Sequence, residues 1–194
     1  MNLNGKKIIL ASNSPRRKEL LEGLDIPFTV DAETSFVEST PAGIPHEQIP
    51  RAMSEGKSMG FHRDLTQDEI LVTSDTMVLC GKEILGKAHS HEEAERMLKL
   101  LSGREHQVIT AVTIRNTARR KTFSVTTNVY FKELTDEEIN YYIDNFKPYD
   151  KAGAYGIQEW IGYVGISRIE GSFYNVMGFP THRFWEELQS FLKD

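Results

Sequence analysis

The chain has 194 residues, is 39% apolar and carries a formal net charge of −5, so we expect one domain over residues 1–194 that can bury about 70% of its unfolded surface. An acidic chain is a poor general nucleic-acid binder, and one that binds an anion must gather its cations locally. Its single cysteine, Cys80, can form no internal disulfide, and its short apolar start suits neither a signal peptide nor a membrane span, so we predict a cytoplasmic protein with no membrane partner.

The N-terminal region predicts a strand, a tight loop and a helix. Residues 6–12 hold the apolar run of the strand, and residues 15–24 carry leucines at helical spacing. Ser14 is a good N-cap, and Pro15 suits the first helical turn. Free backbone N–H groups and the positive end of the helix dipole would gather there beside two arginines, an arrangement that suits a phosphate chain. The alternative is an ordinary capped helix with solvated arginines.

The following segment predicts a second strand, a loop and a second helix. The strand begins at Phe28, and the polar, proline-rich residues 32–46 indicate a loop that holds Glu38. The helix is expected over residues 50–62, although its two glycines weaken the prediction. Lys57 lies four residues after an apolar position, so it should flank the buried face of that helix.

The best candidate for catalysis is a carboxylate in the middle of the chain. Residues 70–80 predict a long, nearly all-buried strand, and Ser74-Asp75-Thr76 interrupts its apolar run. A buried carboxylate is costly unless it has a partner or binds a metal. Because ligand sites in α/β proteins lie near strand ends, Asp75 is the candidate catalytic acid, and Glu38 is a candidate second metal-binding acid. The alternative for Asp75 is a structural aspartate that caps a turn.

Residues 81–87 match the spacing of a P-loop, but we interpret the match as fortuitous. A P-loop needs Ser or Thr at the next position to hold magnesium, and this chain has Ala88. Glu83-Ile84-Leu85 is also strand-like, whereas the interior of a P-loop is a loop. Lys87 is nevertheless kept as a candidate phosphate contact.

The remainder of the chain continues to mix helices and strands. In order, it predicts a helix over 90–103, a hairpin of strands 106–115 and 121–132, a helix over 135–145, an irregular segment over 148–158, a strand over 163–169, a polar connection over 171–178 and a helix from Pro180. Capping boxes at 90–93 and 135–138 should open the first two helices. The whole pattern favours an α/β fold with a mixed sheet.

Several basic residues are candidates for binding phosphate. Taken singly, Lys57, Lys87 and Lys151 read as surface lysines, but together with Arg16 they could offset the roughly four negative charges of a triphosphate. The histidines show no metal spacing, and neither C-x-x-C nor G-x-S-x-G occurs. A zinc site and a serine hydrolase are therefore not expected.

A run of small residues suggests a place for a flat ligand. Residues 152–156 combine alanines and glycines with one tyrosine, which lets backbone approach a ligand closely. The carboxamide of Gln158, which both donates and accepts hydrogen bonds, could then pair with the edge of a base.

Taken together, these motifs resemble those of the Maf family of nucleoside triphosphate pyrophosphatases. The resemblance covers nearly the whole chain and rests on the order and spacing of six segments, at residues 10–21, 74–76, 84–87, 101–104, 150–158 and 169–172. It implies an elongated mixed β-sheet flanked by helices, akin to inosine triphosphatases, with two lobes and a central cleft. It also implies hydrolysis of a nucleoside triphosphate to the monophosphate and pyrophosphate with Mg²⁺ or Mn²⁺, and a homodimer.

The resemblance also implies roles for individual residues. Asp75 occupies the position of the proton acceptor, and Asp75 and Glu38 remain our candidates for holding the metal. Positions tied to substrate choice in the dTTP/UTP branch hold Arg16, Thr76 and Gln158. Other active-site positions hold Ser12, Glu38, Lys57 and Lys87, and the N-cap Ser14 is kept with them as a candidate substrate-binding residue.

Two departures from the family pattern bear on the pocket. Ser74 replaces the usual alanine, and residues 159–163 are bulkier than the glycine-rich run expected after Gln158. We therefore keep two alternatives to a dTTP/UTP pyrophosphatase. One is a house-cleaning pyrophosphatase for modified or purine nucleotides such as 7-methyl-GTP, and the other is a non-catalytic, nucleotide-sensing regulator of cell division.

Overall fold

The computed structural model describes residues 3–37, 39 and 43–193. Their contacts define two compact units, each built from more than one stretch of chain. The units are unit 1 (Met1–Asp75, Thr110–Val125 and Gly178–Asp194) and unit 2 (Thr76–Ile109 and Thr126–Met177). Across the described residues, every helix falls short of the length and apolarity needed to cross a membrane.

The strands lie close to where the sequence predicts them. They are β1 (Lys7–Leu10), β2 (Phe28–Val30), β3 (Glu69–Cys80), β4 (Glu83–Leu85), β5 (Glu105–Arg115), β6 (Arg120–Phe131) and β7 (Ile166–Glu170). Because Glu83–Leu85 form β4, the P-loop spacing over 81–87 is indeed fortuitous.

Most helices also follow the prediction. They are α1 (Pro15–Glu22), α2 (Ile49–Met59), α3 (His91–Leu101), α4 (Asp136–Phe146), α5 (Trp160–Gly165), α6 (Phe173–Met177) and α7 (Thr181–Lys193), with 3₁₀ turns at His46–Gln48 and Pro148–Asp150.

The described strands form one seven-stranded mixed sheet. Its order is β2-β1-β3-β5-β6-β7, and β4 pairs with β3. β1 runs parallel to both neighbours, so that Leu10 lies between Val30 and Val72. β4 is antiparallel to β3, and β7 is antiparallel to β6. The predicted α/β class with a mixed sheet is confirmed.

Unit 1 is held by apolar side chains from the strands and from α7. Ile9 and Leu71, on paired strands, pack in one cluster with Phe61 and Leu65. The apolar face of α7 is buried at Phe184, Leu188 and Phe191. Each such buried side chain contributes about 1.5–3 kcal/mol, so the apolar spacing of α7 accounts for its docking.

The two glycines of α2 have a packing role that the sequence alone concealed. A Cβ at Gly56 would lie 2.3 Å from Cε2 of Phe36, and one at Gly60 would lie 2.7 Å from Cβ of Phe36. The backbone N–H of Ser35 donates to the carbonyl of Gly60 at 2.8 Å. The glycines therefore let the segment around Phe36 lie directly on the helix, and α2 ends at Met59 rather than at the predicted residue 62.

Unit 2 contains the two helices predicted from capping boxes. α3 buries Ala94, Met97, Leu98 and Leu101 and packs against α4. The box of α4 is complete, with Thr135 and Glu138 each accepting the other's backbone N–H. The box of α3 is only half formed, because the Glu93 carboxylate accepts from the N–H of His89 rather than that of Ser90.

Two predictions for the last third of the chain are wrong. The strand expected over 163–169 begins only at Ile166, because residues 160–165 form α5, whose buried Ile161 and Gly165 have helical spacing. A Cβ at Gly162 would lie 1.7 Å from the carbonyl oxygen of Ile157, so this turn of chain requires glycine.

The polar connection expected over 171–178 contains a short helix instead. In α6, Ser172 accepts from the backbone N–H of Asn175 at 3.3 Å, and Asn175 and Met177 are buried. The amide of Asn175 donates to the carbonyl of Val108 at 3.1 Å. A tertiary hydrogen bond thus orders a segment whose local pattern is that of a loop.

Candidate active site

The loop before α1 has the local structure that its residues predict. Ser14 is extended (φ −69°, ψ 117°), and its hydroxyl accepts from the backbone N–H of Arg17 at 3.4 Å, with Pro15 next in the helix. Ser12 Oγ accepts from the N–H of Ser14 at 3.2 Å. Ser14 is therefore the N-cap, and the positive end of the α1 dipole lies at this loop.

Arg17 connects this loop to the strand that carries the candidate catalytic acid. Its Nη1 donates to the carbonyl of Ser74 at 2.9 Å and to Ser12 Oγ at 3.4 Å, and its Nε donates to the carbonyl of Gly178 at 3.0 Å. Sequence reasoning selected Arg16, which lies partly buried in the first turn of α1, and missed this role of Arg17. No local signal distinguishes two adjacent arginines.

Asp75 is paired with Lys57. The Lys57 ammonium donates to Oδ1 of Asp75 at 2.7 Å, and each side chain is 18% exposed. A carboxylate in a mostly buried strand is costly without a partner, and Lys57 supplies one. The expectation that Lys57 flanks the buried face of α2 is confirmed.

A buried hydroxyl contact sets the register of this pair. Thr73 Oγ1 donates to the carbonyl of Ser54 at 2.8 Å, where α2 meets β3. Residues 73 and 75 point to the same face of the strand, and residues 54 and 57 share a face of the helix. The contact between Thr73 and Ser54 therefore brings Lys57, three residues further along α2, to Asp75, two residues further along β3.

Four other candidates, Thr76, Lys87, Gln158 and Lys151, lie in unit 2. Thr76 follows Asp75 in β3 and is partly buried. Lys87 is exposed and forms an antiparallel bridge with Ala152, and the N–H of Gly153 donates to the carbonyl of Gly86 at 2.9 Å. The segment after β4 thus lies against the run of small residues, which places Lys87 beside that run.

Gln158 has an unusual environment for an amide. Its Oε1 is buried and accepts no hydrogen bond from the described residues. A buried acceptor without a donor is costly, and such groups are common where a ligand completes the hydrogen bonding. Gln158 could therefore take a donor from a ligand.

Lys151 is a buried residue, whereas the amino-acid sequence around it suggested a surface lysine. Its ammonium lies 2.8 Å from Asp150 Oδ1 and 3.0 Å from Glu159 Oε1, and its side chain is 10% exposed. Sequence reasoning noticed the bulk at residue 159 but missed this ion pair.

The residues suited to binding a metal are few. Glu38 lies outside the described residues. Within the described ranges, no group of three His, Cys, Asp or Glu side chains is placed to hold a metal ion. Asp75 offers a hard oxygen donor of the type that Mg²⁺ prefers, and Mg²⁺ is usually held by one or two carboxylates together with waters and substrate phosphates. The donor set fits a metal that arrives with a phosphate ligand better than a fixed protein site.

The protein is of the mixed α/β class, and its unit 1 contains a capped helix N-terminus, which suits a phosphate-bearing ligand, and a lysine-paired aspartate. The family model described as Maf-like protein matches residues 7–191. The chain belongs to that family, which confirms the resemblance drawn from its motifs.

Curated relatives cover almost the whole chain. It is 50% identical over 192 residues to a dTTP/UTP pyrophosphatase of Porphyromonas gingivalis strain W83, covering 98% of this chain and 96% of the relative. It is also 50% identical over 190 residues to a dTTP/UTP pyrophosphatase of Parabacteroides distasonis, with 98% of each covered. A HAM1 protein from Coxiella burnetii is similar in structure over 65% of this chain and 73% of that one, at 14% identity and a TM-score of 0.38, too weak a similarity to support an inference.

Proposed function

We propose that this protein hydrolyses dTTP and UTP to the nucleoside monophosphate and pyrophosphate. The name shared by relatives at 50% identity supports this activity. The observation that carries the proposal is the hydrogen bond from Arg17 to the carbonyl of Ser74 at 2.9 Å. It links the helix N-terminus, which suits phosphate, to the residue immediately before the candidate general base.

In this proposal, Asp75 accepts a proton from the attacking water. The carboxylate is 18% exposed, so water can reach it, and the ion pair with Lys57 fixes its orientation. The water attacks the α-phosphorus, and pyrophosphate leaves. A positioned general base contributes about 10²- to 10⁴-fold to the rate.

Charge that develops on the phosphates is stabilised by cations and backbone donors. Arg16, Lys57 and Lys87 supply positive charge, and the first N–H groups of α1 supply oriented dipoles. Ser12 and Ser14 hold the loop in shape through their hydrogen bonds. Preorganised donors of this kind are worth about 10²- to 10³-fold each.

Gln158 and Thr76 are proposed to recognise the base. Uracil and thymine present an N–H donor beside two carbonyl oxygens, and the buried Oε1 of Gln158 lacks a donor. Pairing Oε1 with that N–H would satisfy both groups. Cytosine presents an acceptor nitrogen at the same place and would leave Oε1 unpaired.

We propose Mg²⁺ or Mn²⁺ as the metal, held by Asp75 and Glu38 with the substrate's phosphates. When bound, such a metal neutralises phosphate charge and polarises the phosphoryl oxygens. Asp75 would then share its carboxylate between the metal and Lys57, which is the reason to expect sensitivity to the substitution of either residue.

The direct test measures pyrophosphate release from dTTP, UTP, CTP, ITP and 7-methyl-GTP, with and without Mg²⁺ or Mn²⁺. We expect kcat/KM to be highest for dTTP and UTP. A preference for ITP or 7-methyl-GTP would instead favour the house-cleaning alternative. Nucleotide binding without pyrophosphate release in the presence of metal would favour a non-catalytic sensor.

The cytoplasmic location and the homodimer stay predictions. Sedimentation of the purified protein at several concentrations would test the dimer directly, since a dimer in reversible equilibrium dissociates on dilution.

A further inference from the structure

Glu159, the residue after Gln158, belongs to a group of charged and polar side chains in unit 2 in which Tyr142 and Lys151 are buried. Its Oε1 lies 3.0 Å from the Lys151 ammonium, which also contacts Asp150 at 2.8 Å. Its Oε2 accepts a short hydrogen bond from the hydroxyl of Tyr142. Both oxygens of this carboxylate are therefore engaged by side chains of unit 2.

Tyr142 connects this group to the backbone next to Gln158. Its side chain is fully buried, and its hydroxyl accepts from the backbone N–H of Gly156 at 2.9 Å while it donates to Glu159. Burial, reinforced by the hydrogen bond to Glu159, raises the pKa of Tyr142, so the phenol stays a neutral donor. The Tyr142 hydroxyl thus forms hydrogen bonds with residues on both sides of Gln158, namely Gly156 and Glu159.

The same side chains leave no room beside Gly156. A Cβ there would lie 2.9 Å from Cδ of Glu159 and 3.0 Å from Cε of Lys151. Just upstream, Gly153 (φ +70°) and Ala154 (φ +55°) are both left-handed, a conformation that costs a residue with a Cβ about 1 kcal/mol or more. The ion pair and the Tyr142 hydroxyl thus stabilise the segment that contains the unfavourable left-handed conformation of Ala154.

The backbone closes around Gln158 as well. The N–H of Glu159 donates to the carbonyl of Gly156 at 3.0 Å, and the N–H of Gly162 donates to the carbonyl of Glu159 at 2.9 Å. Gln158 therefore lies inside a turn whose two ends are fixed by Tyr142 and Glu159. The backbone position from which its carboxamide extends is therefore set by that turn.

We propose that Glu159, held by Lys151 and Tyr142, is a positioning residue that fixes the carboxamide of Gln158 for recognition of uracil or thymine. This inference rests on the proposed function. It accounts for the bulk of residue 159, where the family pattern led us to expect glycine. Because both of its oxygens are occupied, Glu159 acts through Gln158 rather than on the substrate.

The test compares kcat/KM for UTP and CTP in Glu159→Gln. This substitution keeps the shape of the side chain but removes the charge that pairs with Lys151. We expect the UTP/CTP ratio to fall about 10-fold, mainly through KM for UTP, because a displaced carboxamide no longer accepts from the base. Tyr142→Phe, which removes both hydrogen bonds of the hydroxyl, should lower the ratio in the same direction and provides the same test if Glu159→Gln does not fold.

A double-mutant cycle separates positioning from general damage. Once Gln158→Ala has removed the carboxamide, adding Glu159→Gln should leave the UTP/CTP ratio unchanged, because coupled residues are non-additive. The inference would be overturned if Glu159→Gln changed the UTP/CTP ratio equally in the unaltered protein and in Gln158→Ala. It would also be overturned if Glu159→Gln alone left the ratio unchanged. The exposed Glu137→Gln on α4 is the matched control and should behave as the unaltered protein.

The unaltered protein separates this inference from the function on which it rests. If it releases no pyrophosphate from UTP, the proposed function fails. If it releases pyrophosphate and prefers UTP, but the cycle shows no coupling between Glu159 and Gln158, only the positioning role fails.

Discussion

The two units each contain a lysine–carboxylate pair with little exposure, and the pairs differ in one respect. In unit 1, Lys57 engages one oxygen of Asp75, and both side chains are 18% exposed. In unit 2, Lys151 and Tyr142 engage the two oxygens of Glu159. Within the part of the chain that the structure describes, side chains contact only Oδ1 of Asp75.

This difference distinguishes a carboxylate that can react from one that supports structure. A general base must have an oxygen within reach of water, and Asp75 retains one. A carboxylate whose two oxygens each have a protein partner is held in one orientation, because both oxygens take part in fixing it. We therefore expect substitutions at the unit 1 pair to affect turnover and those at the unit 2 pair to affect order.

The largest expected effect is that of Asp75→Asn. Removing the base should lower kcat/KM for dTTP by about 10²- to 10⁴-fold, measured as pyrophosphate release. The amide is nearly isosteric with the carboxylate, so the thermal unfolding midpoint should change little.

The matched control for Asp75→Asn is Asp25→Asn, an exposed aspartate of unit 1 at a left-handed position (φ +53°) that asparagine tolerates. It should leave turnover unchanged. Near-normal turnover in Asp75→Asn would place the base elsewhere.

The next largest effect concerns a second buried contact of the Gln158 segment, between His106 Nε2 and the Tyr155 hydroxyl at 2.7 Å. Burial lowers the pKa of His106 to about 4, from about 6.5 in the unfolded chain. Between these values the unfolded state binds more protons, so the free energy of unfolding falls as pH falls from 6.5 to 4, by on the order of 3 kcal/mol.

Urea unfolding at several pH values tests this contribution of His106. His106→Gln keeps a polar atom near Tyr155 and does not titrate, so it should lose that part of the pH dependence. His182→Gln, whose histidine is 84% exposed, should keep it. The same pH slope in His106→Gln as in the unaltered protein would mean that His106 titrates normally.

Replacing Lys57 and Lys151 by methionine, one at a time, tests whether the ion pairs of the two units differ in role. Lys151→Met removes a lysine that is 10% exposed and one of the two side chains that hold Glu159, and we expect it to cost about 2 kcal/mol of unfolding free energy. Lys57→Met removes a lysine that is 18% exposed and has no part in that network, so it should cost less stability but lower kcat/KM at least about 10-fold. Equal losses of stability from the two variants would contradict the distinction between the pairs.

The smallest effect is expected at the packing of Phe36 on α2. Gly60→Ala would place a Cβ 2.7 Å from Cβ of Phe36 and 2.8 Å from its backbone nitrogen, so the segment must shift, at a cost of about 1 kcal/mol. Gly23→Ala, whose Cβ would meet only ordinary contacts at 3.5 Å, is the control. A more stable Gly60→Ala would mean that the segment adapts freely.

Local patterns predicted most of the fold and the candidate residues in it. Short-range signals predict β1, the loop after it and the capped helix α1, and they also predict a polar stretch around Asp75 within the buried β3. The partners of the two ion pairs do not follow from local signals. The pairing of Lys57 with Asp75 depends on the docking of α2 on β3 through Thr73, and the pairing of Lys151 with Glu159 depends on a turn with left-handed residues. Neither the docking nor the turn produces a periodic pattern in the local sequence.

The wrong predictions have the same origin. Residues 163–165 have the composition of a strand, yet they are helical in α5, where Gly162 approaches the carbonyl of Ile157. Residues 173–177 look like a loop, but the hydrogen bond from Asn175 to Val108 accompanies a helical turn there. Tertiary contacts outweigh local preference in both segments.

The central claim is that water activated beside Asp75 attacks the α-phosphorus. The most direct test is to hydrolyse dTTP in ¹⁸O-labelled water and to measure the masses of both products by mass spectrometry. We predict the label in the thymidine monophosphate and none in the pyrophosphate, with label uptake lost in Asp75→Asn. Label in the pyrophosphate would mean attack at the β-phosphorus and would contradict this account.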